Sequence, residues 1–430
     1  MPSEPKTPKG ADLKTEVGKP SVRSVRSPYR SSQASGLNPA RLGRLIRASD
    51  DGDTDAFFAL CQEIEERDSH YRAVLTGRKQ AVSGAELHVV ATDDKRAPRK
   101  IADAVRSLVK APEFEGLVFD LLDGLGKGVS FVEIVWDTSG SEWRPSRYEW
   151  REQRHFAWDT DTLSIPLLKT DSHPRGEPLA PYKWAVHAPR LLTGPVRRAG
   201  LSRTAAAIWM LKSFTIRDLM VFSEQYGMPI RVGKYGTNPT PEDRAALDAA
   251  ITNIGTDAGA SIPDSMKIEF VERNGGGSGE DLYLGTAAYW NGELSKLVLG
   301  QTMTTEDGSS LGQAAVHERK EMAIIKADAR AVCATIVRDV ITPFVRLNFG
   351  PDVEIPTLAY KIRTPSEQAV FMQNVTQFVK LGGILEQSIV RDELGFPDPP
   401  QPENGEPHPL FLGVAAKTIA APDAPVEVPA

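Results

Sequence analysis

Residues 299–344 run LGQTMTTEDGSSLGQAAVHERKEMAIIKADARAVCATIVRDVITPF. Three textures follow one another there. An apolar helix end passes into a loop of threonine, serine, glycine and acid, and a helix of roughly thirty residues then runs on without a break. Taken as 310–342, that helix spans roughly 45–50 Å at ~1.5 Å per residue, long enough to act as a strut across a subunit. Pro343 is expected to end it. The pair His317-Glu318 opens a zinc-protease helix motif, but that motif needs a second histidine at 321, where this chain has Glu321. The loop offers neutral hydroxyls at Thr302, Thr304, Thr305, Ser309 and Ser310 around Gly308, while Glu306 and Asp307 repel phosphate. By itself such a loop is either an exposed polar turn or a surface built for weak, sequence-blind contacts.

The 430 residues suffice for two or three domains, and the 25% charged and 40% hydrophobic content is that of an ordinary globular chain. The greasiest region, GLVFDLLDGLGKGVSFVEIVW, is interrupted by Asp120, Asp123, Lys127 and Glu133, so no membrane span is expected. The opening MPSEPKTPKGADLK lacks the apolar core of a signal peptide, which argues for cytoplasmic synthesis. Cys61 and Cys333 stand far apart without ligand spacing and read as reduced, buried side chains. A net charge of −6 speaks against coating nucleic acid through a basic surface.

Both ends have tail composition. Residues 1–36 are rich in Ser, Pro, Lys and Arg, with Lys6, Lys9, Lys14, Lys19, Arg23, Arg26 and Arg30 against Glu4, Asp12 and Glu16. They are expected to form a disordered basic arm, dispensable for folding and useful in assembly. Residues 397–430 read as an extended, Pro-rich tail.

Between the tails the pattern is α+β and mainly helical. Residues 50–82 read as helix, AELHVVAT as strand and RKIADAVRSLVK as an amphipathic helix. VSFVEIVWD is apolar on both faces and reads as a strand buried on two sides. Residues 137–200 suit short strands and loops. Residues 202–226 form a helix that is apolar almost all round (Ile208, Trp209, Phe214, Ile216, Met220, Phe222 among others), so it is buried by its own chain or by neighbouring subunits. Then come a short strand, PIRVGKY, and a helix capped by Thr240 with Pro241 at its first position. These two helices around a small β insert read as one unit, followed by the strand SMKIEFVE and a further helix.

No catalytic constellation assembles. GLGKGVS at 124–130 lacks the Ser or Thr after Lys127 and the earlier glycine of a phosphate loop, and reads as a turn. GGGSG at 275–279 has no strand-to-helix context for a dinucleotide. Neither a cofactor nor a metal site is expected, and the chain is not expected to be an enzyme.

The succession SEQYGMPIRVGKYG, AITNIGTDAGASIPDSMKIEFVE, LSKLVLGQTMTT, AAVHERKEMAIIKADA resembles the Mu-like family of bacteriophage portal proteins. GKGVSFVEIVWD and RDSHYRAVLTGRKQAVSG agree with that family's earlier segments, and the resemblance covers roughly residues 50–395. It implies a portal-protein fold: wing at 37–200, two stem helices with a small clip insert at 201–256, wing strand and helix at 257–298, channel loop and long strut helix at 299–350, and helical crown at 351–396. The clip would include Pro229, Arg231, Lys234 and Tyr235. The loop Thr302–Ser310 would face the channel, and the apolar stem residues would form the oligomer contact.

The resemblance further implies a homo-oligomeric ring, usually of twelve subunits, at the unique capsid vertex of the virion, assembled in the host cytoplasm. Double-stranded DNA would pass through it without sequence readout during packaging and ejection. Terminase large subunit, major capsid and scaffold proteins and a head–tail adaptor would be its partners. Two readings of other classes remain open at this stage: an enzyme of phage DNA processing or maturation, and a structural head or tail protein that forms no ring.

Overall fold

Asp68 divides the helical stretch 50–82 in two. The first helices are α1 (Gly10–Lys14), α2 (Pro39–Asp50), α3 (Asp55–Arg67) and α4 (Ser69–Ser83). Asp68 lies between the last two, and its Oδ1 accepts the backbone N–H groups of His70 (3.0 Å) and Tyr71 (2.9 Å), capping α4. The computed structural model describes residues 10–93, 95–226, 230–234, 237, 239–253, 267–271, 279–301, 311–362, 365–386, 390–391 and 411–412. The fold is α+β and mainly helical. None of its described helices is long and apolar enough to cross a membrane.

The chain separates into two compact units, residues 1–83 with 110–355, and residues 84–109 with 356–430. The contiguous wing expected over 37–200 is therefore corrected, because 84–109 folds with the C-terminal part. In that second unit, β1 (Leu87–Val90) and α5 (Arg96–Val109) precede β10 (Thr357–Tyr360), α13 (Pro365–Lys380), β11 (Leu385–Glu386) and β12 (Phe411–Leu412). β1 pairs antiparallel with β10, Leu87 opposite Tyr360. The pairing joins stretches more than 250 residues apart, which no local pattern announces. β12 pairs with β11 and so corrects part of the Pro-rich tail, whose other residues lie outside those described.

In the first unit, α6 (Pro112–Leu121) and α7 (Gly124–Lys127) lead into β2 (Ser130–Asp137). All but the last residue of β2 is buried, as its two apolar faces require. The strand sits between β3 (Arg144–Arg151) and β7 (Trp184–His187), both antiparallel to it. A second small sheet orders β4 (Phe156–Trp158), β5 (Pro166–Leu168) and β6 (Glu177–Pro178). Their core is aromatic: Phe131 stacks on Phe156 at 3.7 Å, and Trp184 meets Phe156 edge-on at 5.3 Å. Lys127, the cation of the phosphate-loop look-alike, is buried with both Asp123 oxygens at 2.7 Å and lies over the Trp150 ring. Gly128 then turns with φ +90°, and a Cβ there would stand 2.2 Å from the Val196 carbonyl oxygen.

The remaining elements are α8 (Ser202–Tyr226), β8 (Ile230–Lys234), α9 (Pro241–Asn253), β9 (Lys267–Val271), α10 (Gly279–Leu299), α11 (Leu311–Ile336) and α12 (Thr342–Phe349). α9 carries the expected cap: the Asp243 N–H donates to Thr240 Oγ1 and the Thr240 N–H to Asp243 Oδ2.

The arm is the largest correction in this unit. Residues 10–36 lie docked on the fold, and only 1–9 fall outside the described residues. Leu13 is fully buried. Glu133, buried in the middle of β2, accepts the backbone N–H groups of Val17 (2.5 Å) and Gly18 (3.0 Å). It also pairs with Arg151 at 2.9 Å. The buried Lys183 ammonium donates to the Leu13 (2.9 Å) and Thr15 (2.7 Å) carbonyls. Further along, Ser32 Oγ and the N–H groups of Gln33 and Ala34 all donate to the buried Glu63 carboxylate. Composition foretold disorder, but the fold holds buried charges whose hydrogen bonds the arm's backbone completes.

Candidate assembly and channel elements

Twenty-five residues of α8 make a rod of about 37 Å. Its first half is rooted in the body. Ser202 Oγ is 3.0 Å from the Tyr71 hydroxyl, Arg203 forks onto Asp50 at 2.9 and 2.8 Å, and Lys212 reaches both Asp68 oxygens at 3.0 and 2.9 Å. α10 runs back antiparallel beside it. Near their free ends the Phe222 and Tyr283 rings lie 5.6 Å apart, and at the root His70 Nε2 meets Ser295 Oγ at 2.8 Å. The sequence reading joined α8 to α9 as the helical pair. The structure pairs α8 with α10 instead, while α9 packs on β8.

The boundary at 256/257 changes as well, since β8 and β9 form one antiparallel two-stranded sheet across it. Local patterns assign helices correctly, but which helices pair depends on the insert that separates them. Here that insert brings α10, not α9, back along α8.

The exposed halves of both helices carry apolar side chains. Ile216 and Met220 are 41% and 54% exposed, and Leu282 and Tyr289 on α10 are 70% and 56% exposed. Ile208, Trp209, Phe214 and Phe222 are half-buried within the chain. The α10 residues were missed by a reading that centred on α8, although the AYW run at 288–290 within a helix was an available signal.

Within the insert, Arg231 faces Phe270 and Lys234 faces Lys267 in the strand register. Lys234 and Lys267 are both exposed. Pro229 and Tyr235 lie outside the described residues.

The expected channel loop, Thr302, Thr304, Thr305, Glu306, Asp307, Gly308, Ser309 and Ser310, also lies outside the described residues, but its two flanks are fixed. Gly300 ends α10 with φ +72° and its N–H donates to the Lys296 carbonyl at 3.0 Å. The buried Gln301 then donates from Nε2 to Glu321 Oε2 at 3.1 Å. Glu321, the residue standing where the zinc helix would need histidine, thus ties the start of the loop to α11. One cation holds both flanking helices: buried Arg78 on α4 donates to the Val298 carbonyl (2.6 Å) and to both Asp328 oxygens (2.6 and 2.9 Å). Its planar fork suits a carboxylate on one side while leaving an N–H for the helix end.

Pro343 does not end the strut. α11 passes through a π-helical turn at Val337–Ile341 into α12, and the rod stops at Gly350, φ +106°. The widened turn accommodates the proline ring, and the Val337 carbonyl accepts both the backbone N–H of Thr342 and, at 2.7 Å, its Oγ1 hydroxyl. The turn is held from outside by Asp339, which accepts the Val186 N–H at 2.9 Å, and by Thr335 at 2.9 Å from His187 Nδ1.

Titratable groups here serve the fold. Burial depresses His155 and His187 to a pKa of about 4, and burial pushes the Cys61 thiol up to about 12. Cys61 and Cys333 are both buried and joined in no disulfide. Among the described residues no cluster of His, Cys, Asp and Glu could hold a metal ion.

The described residues thus form a helical hairpin rooted in a mixed α/β body, followed by a long strut. The same fold occurs in a chain from the virion of a native gene transfer agent particle, with TM-score 0.50 and 14% identity, over 85% of this chain and 97% of that one.

The family described as the portal protein of Mu bacteriophage matches residues 58–396. The portal protein of Escherichia phage Mu is 32% identical over 374 residues, 85% of this chain and 72% of that protein. The Mu-like prophage FluMu protein gp29 of Haemophilus influenzae is 28% identical over 402 residues, 90% and 76% respectively. The chain belongs to the Mu bacteriophage portal protein family, a structural family rather than an enzymatic one.

Proposed function

We propose that copies of this chain close into a ring, usually of twelve, at the unique capsid vertex, with the α8–α10 hairpin as stem. Duplex DNA would enter the head through the ring and leave through it at infection, and the chain itself would make and break no bond. The observation that carries this reading is the hairpin: its root is locked by buried ion pairs while its outer half bares Ile216, Met220, Leu282 and Tyr289. A lone protomer gains nothing from that exposure, whereas a head-to-tail neighbour buries it, and head-to-tail contacts close into rings.

In this reading residues 227–278, with the β8–β9 sheet, form the clip that meets terminase large subunit during packaging and the head–tail adaptor afterwards. The body meets major capsid and scaffold proteins. Residues 302–310 line the channel. Their hydroxyls and acids give weak contacts without the counterion release that would grip a duplex. The protein resides in the virion and, during assembly, in the host cytoplasm.

Negative-stain images of the purified protein, classified for rotational symmetry, test the proposal. Closed rings with a central pore are expected, and a population of monomers or open arrays at working concentration would refute it.

A further inference from the structure

The two helices of the hairpin present unlike outer edges, and their register is fixed at two levels. Near the tip the Phe222 and Tyr283 rings lie 5.6 Å apart. At the root, Lys212 and Ser295 both meet the start of α4, the first at Asp68 (3.0 and 2.9 Å) and the second at His70 (2.8 Å). Antiparallel helices in that register have Met220 level with Gly285 and Ser213 level with Gly292.

A helix turns about 100° per residue, so a side chain two positions from an inward-facing one points outward. Phe222 faces α10, which puts Met220 on the far side of α8, with Ile216 and Ser213 on the same stripe. Met220 and Ile216 are exposed. Tyr283 faces α8, which puts Gly285 on the far side of α10, in line with Ala288 and Gly292. Leu282 and Tyr289 rise beside that stripe, 70% and 56% exposed. One edge of the hairpin is therefore bulky and apolar, and the other is a shallow trough with apolar shoulders.

Gly285 is the residue that its own chain does not account for. It sits inside a helix, where glycine is destabilising relative to alanine. It is exposed, its φ is not positive, and a Cβ built on it would meet nothing within 4 Å. A second backbone packed closely against α10 is what a missing side chain there serves, since the approach of two helices is set by the side chains at their contact.

We propose that α8 of one copy packs into the trough on α10 of the next, with Met220 seated at Gly285 and Ser213 passing Gly292. The inference rests on the ring reading, and it names which edge of the hairpin meets which. The two edges lie on opposite sides of one chain, as a head-to-tail contact needs, whereas a two-fold contact would set bulky edge against bulky edge. Rotation about a ring axis that runs along the hairpin preserves height, so residues level within one hairpin meet between neighbours.

The first experiment places cysteines at both positions of full-length protein, Met220→Cys with Gly285→Cys, and oxidises the assembled sample. Non-reducing gels should show a ladder of covalent multimers that reduction collapses, and either single variant should stay monomeric. The native Cys61 and Cys333 are buried and form a common background. The second experiment swaps sizes. Gly285→Leu fills the trough and should abolish rings in negative-stain images while leaving the circular dichroism spectrum unchanged. Adding Met220→Ala to that variant should restore them.

Four results would overturn the pairing while leaving the ring reading intact: native rings whose cysteine pair gives no ladder, covalent dimers from Met220→Cys alone, native rings from Gly285→Leu, or a loss that Met220→Ala does not relieve. Absence of rings from the native protein would strike the ring reading instead.

Discussion

Glu133→Gln tests the docked arm, because it removes one charge and almost no volume. In the native chain Glu133 neutralises Arg151 and faces Lys183, all three buried, and it accepts two backbone N–H groups from the arm. Gln has one oxygen to offer in place of two charged ones, and its NH2 group would confront either an arm N–H or the guanidinium. Breaking a buried ion pair by removing one partner costs about 3–5 kcal/mol, and a charge-assisted hydrogen bond contributes about 1.5–3 kcal/mol. The two overlap here, so the expected loss is about 4 kcal/mol.

Deleting residues 1–36 changes the arithmetic. It admits water to Glu133, Arg151 and Lys183, so the same substitution in the truncated chain should cost only about 1–2 kcal/mol. The truncation by itself should lower the unfolding midpoint, since it strips Leu13 from the core and the carbonyl acceptors from Lys183. Urea unfolding of the four proteins, followed by tryptophan fluorescence, gives the coupling directly. A Glu133→Gln cost that is equal in both backgrounds, or a truncated chain with the native midpoint, would falsify the docked-arm account and restore the free tail that composition suggests.

Other perturbations have equally direct readouts. Met220→Asp should leave the protomer folded, with an unchanged circular dichroism spectrum, yet abolish rings in negative-stain images; Trp209→Asp, at a half-buried site, should lower the protomer's stability as well. Arg78→Met should cost about 3–5 kcal/mol in urea unfolding, because it leaves the buried Asp328 without its partner, and retention of native stability would remove the brace from the loop's base.

Lowering the pH from about 7 to about 4 should destabilise the protein by about 2–3 kcal/mol for each of His155 and His187. Their folded pKa values lie below the unfolded one, so the unfolded chain binds the protons first. Asp120, raised to about 6 by burial and by Asp123, works the other way over the same window, but it is one group against two. The thermal midpoint against pH checks the sign. Replacing Glu306 and Asp307 by Lys should preserve rings and make packaging slower and more salt-dependent, read as packaged DNA length against time at two ionic strengths; unchanged kinetics would sink the channel-loop assignment.

Local signals in this sequence were faithful where one element carries its own instructions. The two apolar faces of residues 129–136 specify a buried strand, and Thr240, Pro241 and Asp243 specify where α9 starts. Pairing across long separations was not legible: α8 with α10 across the insert, and β1 with β10 across most of the chain, follow from no periodicity. Pro343 misled because a rule about a missing N–H and a ring clash predicts a stop. A π-helical turn meets both demands within a continuing rod.

The arm shows where the legible information lay. A tail is judged by whether it can bury enough apolar surface to offset its own ordering, and residues 10–36 fail that test. The evidence was instead at the other end of the contact, in SFVEIVWD, where a glutamate sits inside a strand apolar on both faces. A carboxylate so placed must find donors, and β2's own ladder has none to spare, since its N–H groups are taken by β3 and β7. Arg151 supplies one partner from the neighbouring strand, and the remaining donors must come from a segment with free backbone N–H groups. Residues 17 and 18, in no helix or strand, provide them. The demand of one buried charge thus determines the conformation of a segment more than a hundred residues away whose own composition argues against order.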